Sequence, residues 1–200
     1  MPLSSNTLIH LARDKSSLQG ILQENFRVYY CLETIKLAGM AFKVRIPMVS
    51  FCDIPLSEIK DHILKYGNYG IGLTKEWAQR SGLNPVLYME SDSLLARSYS
   101  TAFHNLVVDD DTNGFTDGQR SLTDILRYIK NYQGDLERKG TIFPDYRYSD
   151  EREWRYVPPS DWECEMIVGA SEYLAEQEII DRKVELTLGV HTQRHQVHHH

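Results

Sequence analysis

One stretch, Pro47–Trp77 (PMVSFCDIPLSEIKDHILKYGNYGIGLTKEW), constrains this chain more than any other. It opens on the apolar run Met48-Val49-Ser50-Phe51-Cys52 and is stopped by Asp53 and Pro55. Leu56, Ile59, Ile63 and Leu64 then fall at helical spacing, which predicts a helix over 56–66 with one buried face. Gly67 and Asn68 tolerate the backbone that ends a helix. Tyr69-Gly70-Ile71-Gly72-Leu73 reads as a second strand, and its glycines let another group approach the backbone closely. Strand, helix and strand with aromatics and glycines at the joins suit a wall for a flat ligand.

The flanking sequence supplies more of both element types. Leu8–Leu11 reads as a strand carrying His10. Ser17–Glu24 reads as a helix, with Asp14 or Ser16 as cap and Asn25 as stop. Phe26–Cys31 alternates as a strand. Glu33–Ile46 fits either a short helix or a loop leading into Val44–Ile46, and Pro47 is expected to break the pattern. Thr74 is placed to cap Lys75–Ser81, with Gly82 as its stop. Val86–Met89 reads as a strand and Ser93–Leu106 as a helix. Asp109–Gly118 reads as an exposed acidic loop without the spacing of a calcium site. Ser121 is expected to cap a helix over Leu122–Tyr132, Gly134–Gly140 to be mobile, and Thr141–Asp150 to be irregular. Glu151–Val157 alternates as a strand, with Glu151, Glu153, Arg155 and Val157 on one face. Cys164–Val168 and Val184–Leu188 read as strands around a helix over Glu172–Asp181.

Two hundred residues suffice for one domain with a real core, and no linker or repeat divides them. Residues 1–190 are therefore taken as one domain, and 191–200 as a tail ending in a purification tag, His198-His199-His200. The net charge of −6 disfavours broad attraction to a nucleic-acid backbone. Arg120, Arg127, Lys130, Arg138 and Lys139 fit either a local basic patch or a solvated helix face. Cys31, Cys52 and Cys164 form no CxxC pair, which excludes a disulfide framework and suits a reducing cytoplasm. No signal peptide or membrane-spanning run is visible, so the expected location is cytoplasmic. No histidine or cysteine spacing suggests a metal, and no phosphate-binding glycine loop or nucleophile elbow occurs.

Two features are candidates for chemistry. Glu151 and Glu153 share a strand face about 6–7 Å apart, where like charges raise at least one pKa and act jointly on a polar group. The alternative is a pair of surface acids bonded to nearby arginines. His10, alone in an apolar strand, is either a catalytic group or a core histidine bonded to backbone.

The opening LIHLARDKSSLQGILQENF resembles the first strand and helix of ADP-ribosyltransferase-like folds. VSFCDIPLSEIKDHILKYGNYGIGLTKEW and DEREWRYVP resemble more closely the bacterial AbiGi family, described as abortive phage-resistance proteins with an antitoxin label. The transferase resemblance implies a single α+β domain, two packed sheets with flanking helices, around an NAD cleft. It implies that His10 anchors a ribose, Ser50 lines the cleft and Tyr66 or Tyr69 stacks on nicotinamide. Glu153 would then steady an oxocarbenium ion and Glu151 would orient the acceptor. Ser50-Phe51-Cys52 stands where such folds carry Ser-Thr-Ser. The implied activity is ADP-ribose transfer from NAD to a macromolecule. The antitoxin label implies instead a non-enzymatic protein that binds a cognate toxin. A nucleic-acid acceptor would call for a basic rim at Arg147, Arg152 and Arg155.

Overall fold

The structure is a computed structural model, and it describes residues 6–108, 115–138, 140–159, 165–182 and 187–189. The opening follows the sequence closely. Strand β1 (Thr7–Ala12) leads into helix α1 (Lys15–Glu24). Asp14 caps α1 by accepting from the Ser17 N–H, and Asn25 leaves it with φ 70°. Next come β2 (Phe26–Arg27), β3 (Tyr29–Leu37) and the thirteen-residue β4 (Met40–Cys52).

The stretch Glu33–Ile46 is thus neither helix nor loop. It is a hairpin, closed by Ala38 and Gly39 at φ 51° and 83°. Two positive φ values match the tight turns that join twisted strands. Pro47 does not break β4. It pairs with Tyr30 on one flank, and the other flank changes partner there, from Arg45–Val168 to Val49–Tyr156. A missing N–H costs least at such a change of partner.

After β4, a 3-10 turn (Leu56–Glu58) and helix α2 (Lys60–Tyr66) replace the single helix expected over 56–66. Leu56 and Leu64 are 75% and 78% exposed, so the apolar face is not buried as its spacing predicts. Strand β5 (Tyr69–Thr74) and helix α3 (Lys75–Arg80) match expectation, with Thr74 as the cap. Then follow β6 (Asn84–Pro85), β7 (Leu87–Met89), α4 (Leu94–Phe103) and a π-turn (His104–Val108).

Helix α5 (Asp117–Tyr128) starts earlier than expected. Thr116 and Gln119 form a reciprocal capping box, so Asp117 and Gly118 are helical and Ser121 is not the cap. The rest of the expected acidic loop, 109–114, lies outside the described residues. The helix also stops earlier, because 129–131 form β8 (Ile129–Asn131), parallel to β7. Residues expected to be mobile or irregular form a hairpin of β9 (Gly134–Arg138) and β10 (Thr141–Tyr146). A 3-10 turn (Tyr148–Glu151) precedes β11 (Glu153–Tyr156), so Glu151 is not on the strand and Arg152 between them is left-handed at φ 44°. The chain ends in β12 (Val168–Gly169), α6 (Ala170–Arg182) and β13 (Thr187–Leu188). Cys164, residues 183–186 and the tail lie outside the described residues.

Architecture is mixed α+β, organised on β4. Its second half runs between β1 and β11, with β5 and β6 at the two edges. Its first half pairs with β3 and β12. Alternation sends Ile46 and Met48 into one apolar cluster, with Met89, Phe103 and Val157. Val49 and Phe51 enter another, with Leu8, Phe26 and Trp77. A strand buried on both faces reads as a continuous apolar run, which explains Ile46–Cys52. Among the described residues, no helix is long and apolar enough to cross a membrane.

Gly67 shows why the turn after α2 demands glycine. Its φ is 138°, and an added Cβ would stand 2.1 Å from the Ala12 carbonyl oxygen. Gly67→Ala is expected to destabilise the fold by about 1–3 kcal/mol from the backbone conformation alone, more with the clash. Urea unfolding against wild type measures it.

Candidate functional site

The centre of the molecule is a buried carboxylate. The register places Glu153 opposite Cys52 and Arg155 opposite Ser50. Glu153, Arg155 and Ser50 therefore share a face, while Trp154 and Tyr156 pack with the other cluster. Strand β8 lies close by and brings in Lys130.

Glu153 is 4% exposed and each of its oxygens takes two donors. Oε1 accepts from the Ser50 hydroxyl at 2.9 Å and Arg155 Nε at 2.5 Å. Oε2 accepts from Lys130 Nζ at 2.7 Å and an Arg155 terminal nitrogen at 3.3 Å. A carboxylate has about four acceptor sites, and here all are taken. Arg155 is completely buried, and it also donates to Glu33 at 2.9 Å and to the Arg127 carbonyl at 3.0 Å. The Glu153 N–H donates to the Tyr88 hydroxyl oxygen at 2.7 Å.

Burial by itself would raise the Glu153 pKa. The charges and hydrogen bonds of Arg155 and Lys130 outweigh it and hold the carboxyl well below the ordinary 4.5. Burial likewise opposes charge on Lys130, yet Glu153, Glu33 and Glu151 together keep it ionised. Glu153, Lys130 and Arg155 are charged at neutral pH.

Glu151 stands beside them. Its Oε1 accepts from the Tyr66 hydroxyl of α2 and from the Tyr146 hydroxyl of β10 at 3.0 Å. Its Oε2 lies 3.6 Å from Lys130 Nζ. Burial, then the charge of Glu151, raise the Tyr146 pKa, so Tyr146 remains a donor. The two acids are therefore joined through Lys130, but from a turn and a strand and not from one strand face.

His10 lies across β4 from the acids. Its Nδ1 is 2.8 Å from the Ser50 carbonyl oxygen, which fixes it as the N–H donor. Its ring packs edge-on against Phe26. Burial lowers its pKa, and the Ser50 contact only partly offsets this. His10 and Ser50 line a cleft of about 870 Å³ together with Arg13, Phe26 and Tyr29. Tyr66 and Tyr69 are not among the lining residues. Tyr69 is 40% exposed on edge strand β5. Ser50 is the link between the two regions, since its carbonyl holds His10 and its hydroxyl holds Glu153. The described residues contain no group of three or more His, Cys, Asp or Glu able to hold a metal.

Lys130 and Tyr146 were missed by the sequence as parts of this centre. By sequence Lys130 fits either a local basic patch or a solvated helix face, and Tyr146 falls in a segment that reads as irregular. Arg127, also assigned to that face, is 1% exposed, so neither forms a surface basic patch. The alternation of Glu151–Val157 did put Arg155 beside Glu153.

A family model described as "Putative abortive phage resistance protein AbiGi, antitoxin" matches residues 24–188. Among curated proteins, the abortive phage resistance protein AbiGi of Lactococcus lactis subsp. cremoris is 29% identical over 128 residues, covering 56% of this chain and 51% of that protein. The chain thus spans about half the length of the curated relative it matches. No solved structure matches.

Glu153→Ala would remove the carboxylate shared by Lys130 and Arg155, leaving Lys130 with Glu151 at 3.6 Å and Arg155 with Glu33 at 2.9 Å, and is expected to cost about 3–5 kcal/mol. Chemical denaturation checks this. His10 gives a pH prediction. A histidine with a lowered folded pKa stabilises above its unfolded value, and that contribution is lost as pH falls through the folded value. Wild-type stability is expected to start declining below about pH 6.5, with His10→Gln lacking that part of the decline in melts across pH 5–8.

Proposed function

The chain belongs to the AbiGi family of abortive phage resistance proteins, and from that membership we propose that it acts in phage defence as a non-enzymatic antitoxin that binds a cognate toxin. The observation that carries this reading is the saturation of Glu153. A carboxylate that must steady a cationic transition state needs an open acceptor face toward the substrate. Glu153 has all four acceptor positions filled from within the protein and is 4% exposed. Such a group holds strands together; it is not poised for chemistry. The family description names an antitoxin, which supports a protein partner.

A second reading is favoured by one feature, the Ser50 hydroxyl that joins the cleft to Glu153. In it the domain has an ADP-ribosyltransferase-like fold and takes NAD in the 870 Å³ cleft, a size suited to small-molecule sites. His10 contacts a ribose and Glu153 acts once Ser50 or Lys130 turns from it to the substrate. Glu151 orients a macromolecular acceptor, while Tyr66 and Tyr69 lie outside the residues that line this cleft and do not stack on the nicotinamide.

Calorimetry with NAD at millimolar concentration separates the two. The antitoxin reading expects no binding heat. It also expects that co-expression of wild type, His10→Ala or Ser50→Ala relieves growth arrest by the cognate toxin equally. Saturable NAD binding that weakens in both folded variants would overturn it in favour of the transferase reading.

A further inference from the structure

We infer that residues 54–66 form a movable strap over an apolar groove, held down by the Tyr66 hydroxyl on the buried Glu151 carboxylate. The strap is fixed at its two ends. Before it, Asp53 is buried, bonded to Lys75 at 2.6 Å, and its N–H donates to the Arg152 carbonyl at 3.1 Å. After it, Gly67 is pressed against the backbone of Ala12.

Between these points Ile54 and His62 are buried, His62 stacked on the Tyr66 ring, and the remaining apolar side chains are only partly covered. Leu56 and Leu64 are 75% and 78% exposed, and Ile59 and Ile63 are half-buried. Beneath lies a groove of about 560 Å³. Ile59 and Ile63 face it from above; Ile9, Leu11, Gly70 and Gly72 line it from the sheet. The room beside the two glycines is taken by the Leu11, Ile9 and Thr7 side chains, and the strap stands over the apolar groove above them. Apolar stabilisation scales with the area removed from water, and a segment burying little opens locally at low cost.

The hydroxyl–carboxylate bond then seats the Tyr66 end of the strap, beside the buried His62. Its partner is built to survive release. When Tyr66 leaves, Glu151 keeps Tyr146 at 3.0 Å and Lys130 at 3.6 Å, so no bare charge is stranded in the interior. The Lys65 ammonium, 4.3 Å from the Tyr146 ring centre, adds a weaker second hold at the same end. Opening would expose the groove-facing isoleucines while leaving the ion cluster intact.

Amide hydrogen exchange on wild type, Tyr66→Phe and Tyr146→Phe tests this. Tyr66→Phe keeps the ring and removes the hydroxyl. Amides of 59–66 should exchange roughly tenfold or more faster in it, with β4 and β11 amides unchanged. Tyr146→Phe leaves Tyr66 bonded and should change strap exchange far less. Unchanged strap exchange in Tyr66→Phe, an equal rise across the central sheet, or an equal rise in Tyr146→Phe would each overturn the strap.

Discussion

The buried bond between Glu153 and Arg155, completed by Lys130, is the constraint on which the rest of the structure depends. It joins β11 to β8, and through Ser50 to the final residues of β4. Arg155 carries it further, to Glu33 on β3 and to the backbone at the end of α5. Ion pairs this deep seldom stabilise more than apolar packing would, because desolvation cancels most of the attraction. What they do enforce is register. A one-residue slip of β11 would turn Trp154 and Tyr156 toward Lys130 and send both Glu153 and Arg155 into the apolar cluster of Phe51 and Trp77.

That commitment shapes the functional reading. An acid pair in a sequence suggests catalysis because carboxylates on a shared face are costly unless used. Here the cost is met by two cations and three hydroxyls, from Ser50, Tyr66 and Tyr146. The cleft beside His10 meets the same cluster only through Ser50. The acids are thus bonded from within the protein, and the cleft reaches them through one hydroxyl.

The periphery is also where local sequence preference and packing diverge. Residues 56–66 carry a helical apolar spacing, yet beneath them only Ile9, Leu11 and Thr7 present side chains, Gly70 and Gly72 adding none, and Leu56 and Leu64 stay exposed. Spacing specifies which residues share a face. Only the opposing surface determines whether that face is covered.

By itself the sequence determined what short-range physics controls. β1, α1, β5 and α3 were legible, with Asp14 and Thr74 as caps, because capping and alternation are local. Glu153 and Arg155 on one face followed from the two-residue repeat of a strand. The Thr116–Gln119 capping box is equally local, although its residues lie within and beside a stretch that reads as an acidic loop. The tertiary structure decided the rest. The β3–β4 hairpin depends on Ala38 accepting a positive φ, which its side chain disfavours unless the paired strands hold it. Residues 129–131 leave the helix because β7 offers them a parallel partner, and that turns Lys130 inward. Tyr66, Tyr146 and Glu151 meet from three separate elements, and no spacing along a chain encodes a convergence set by packing.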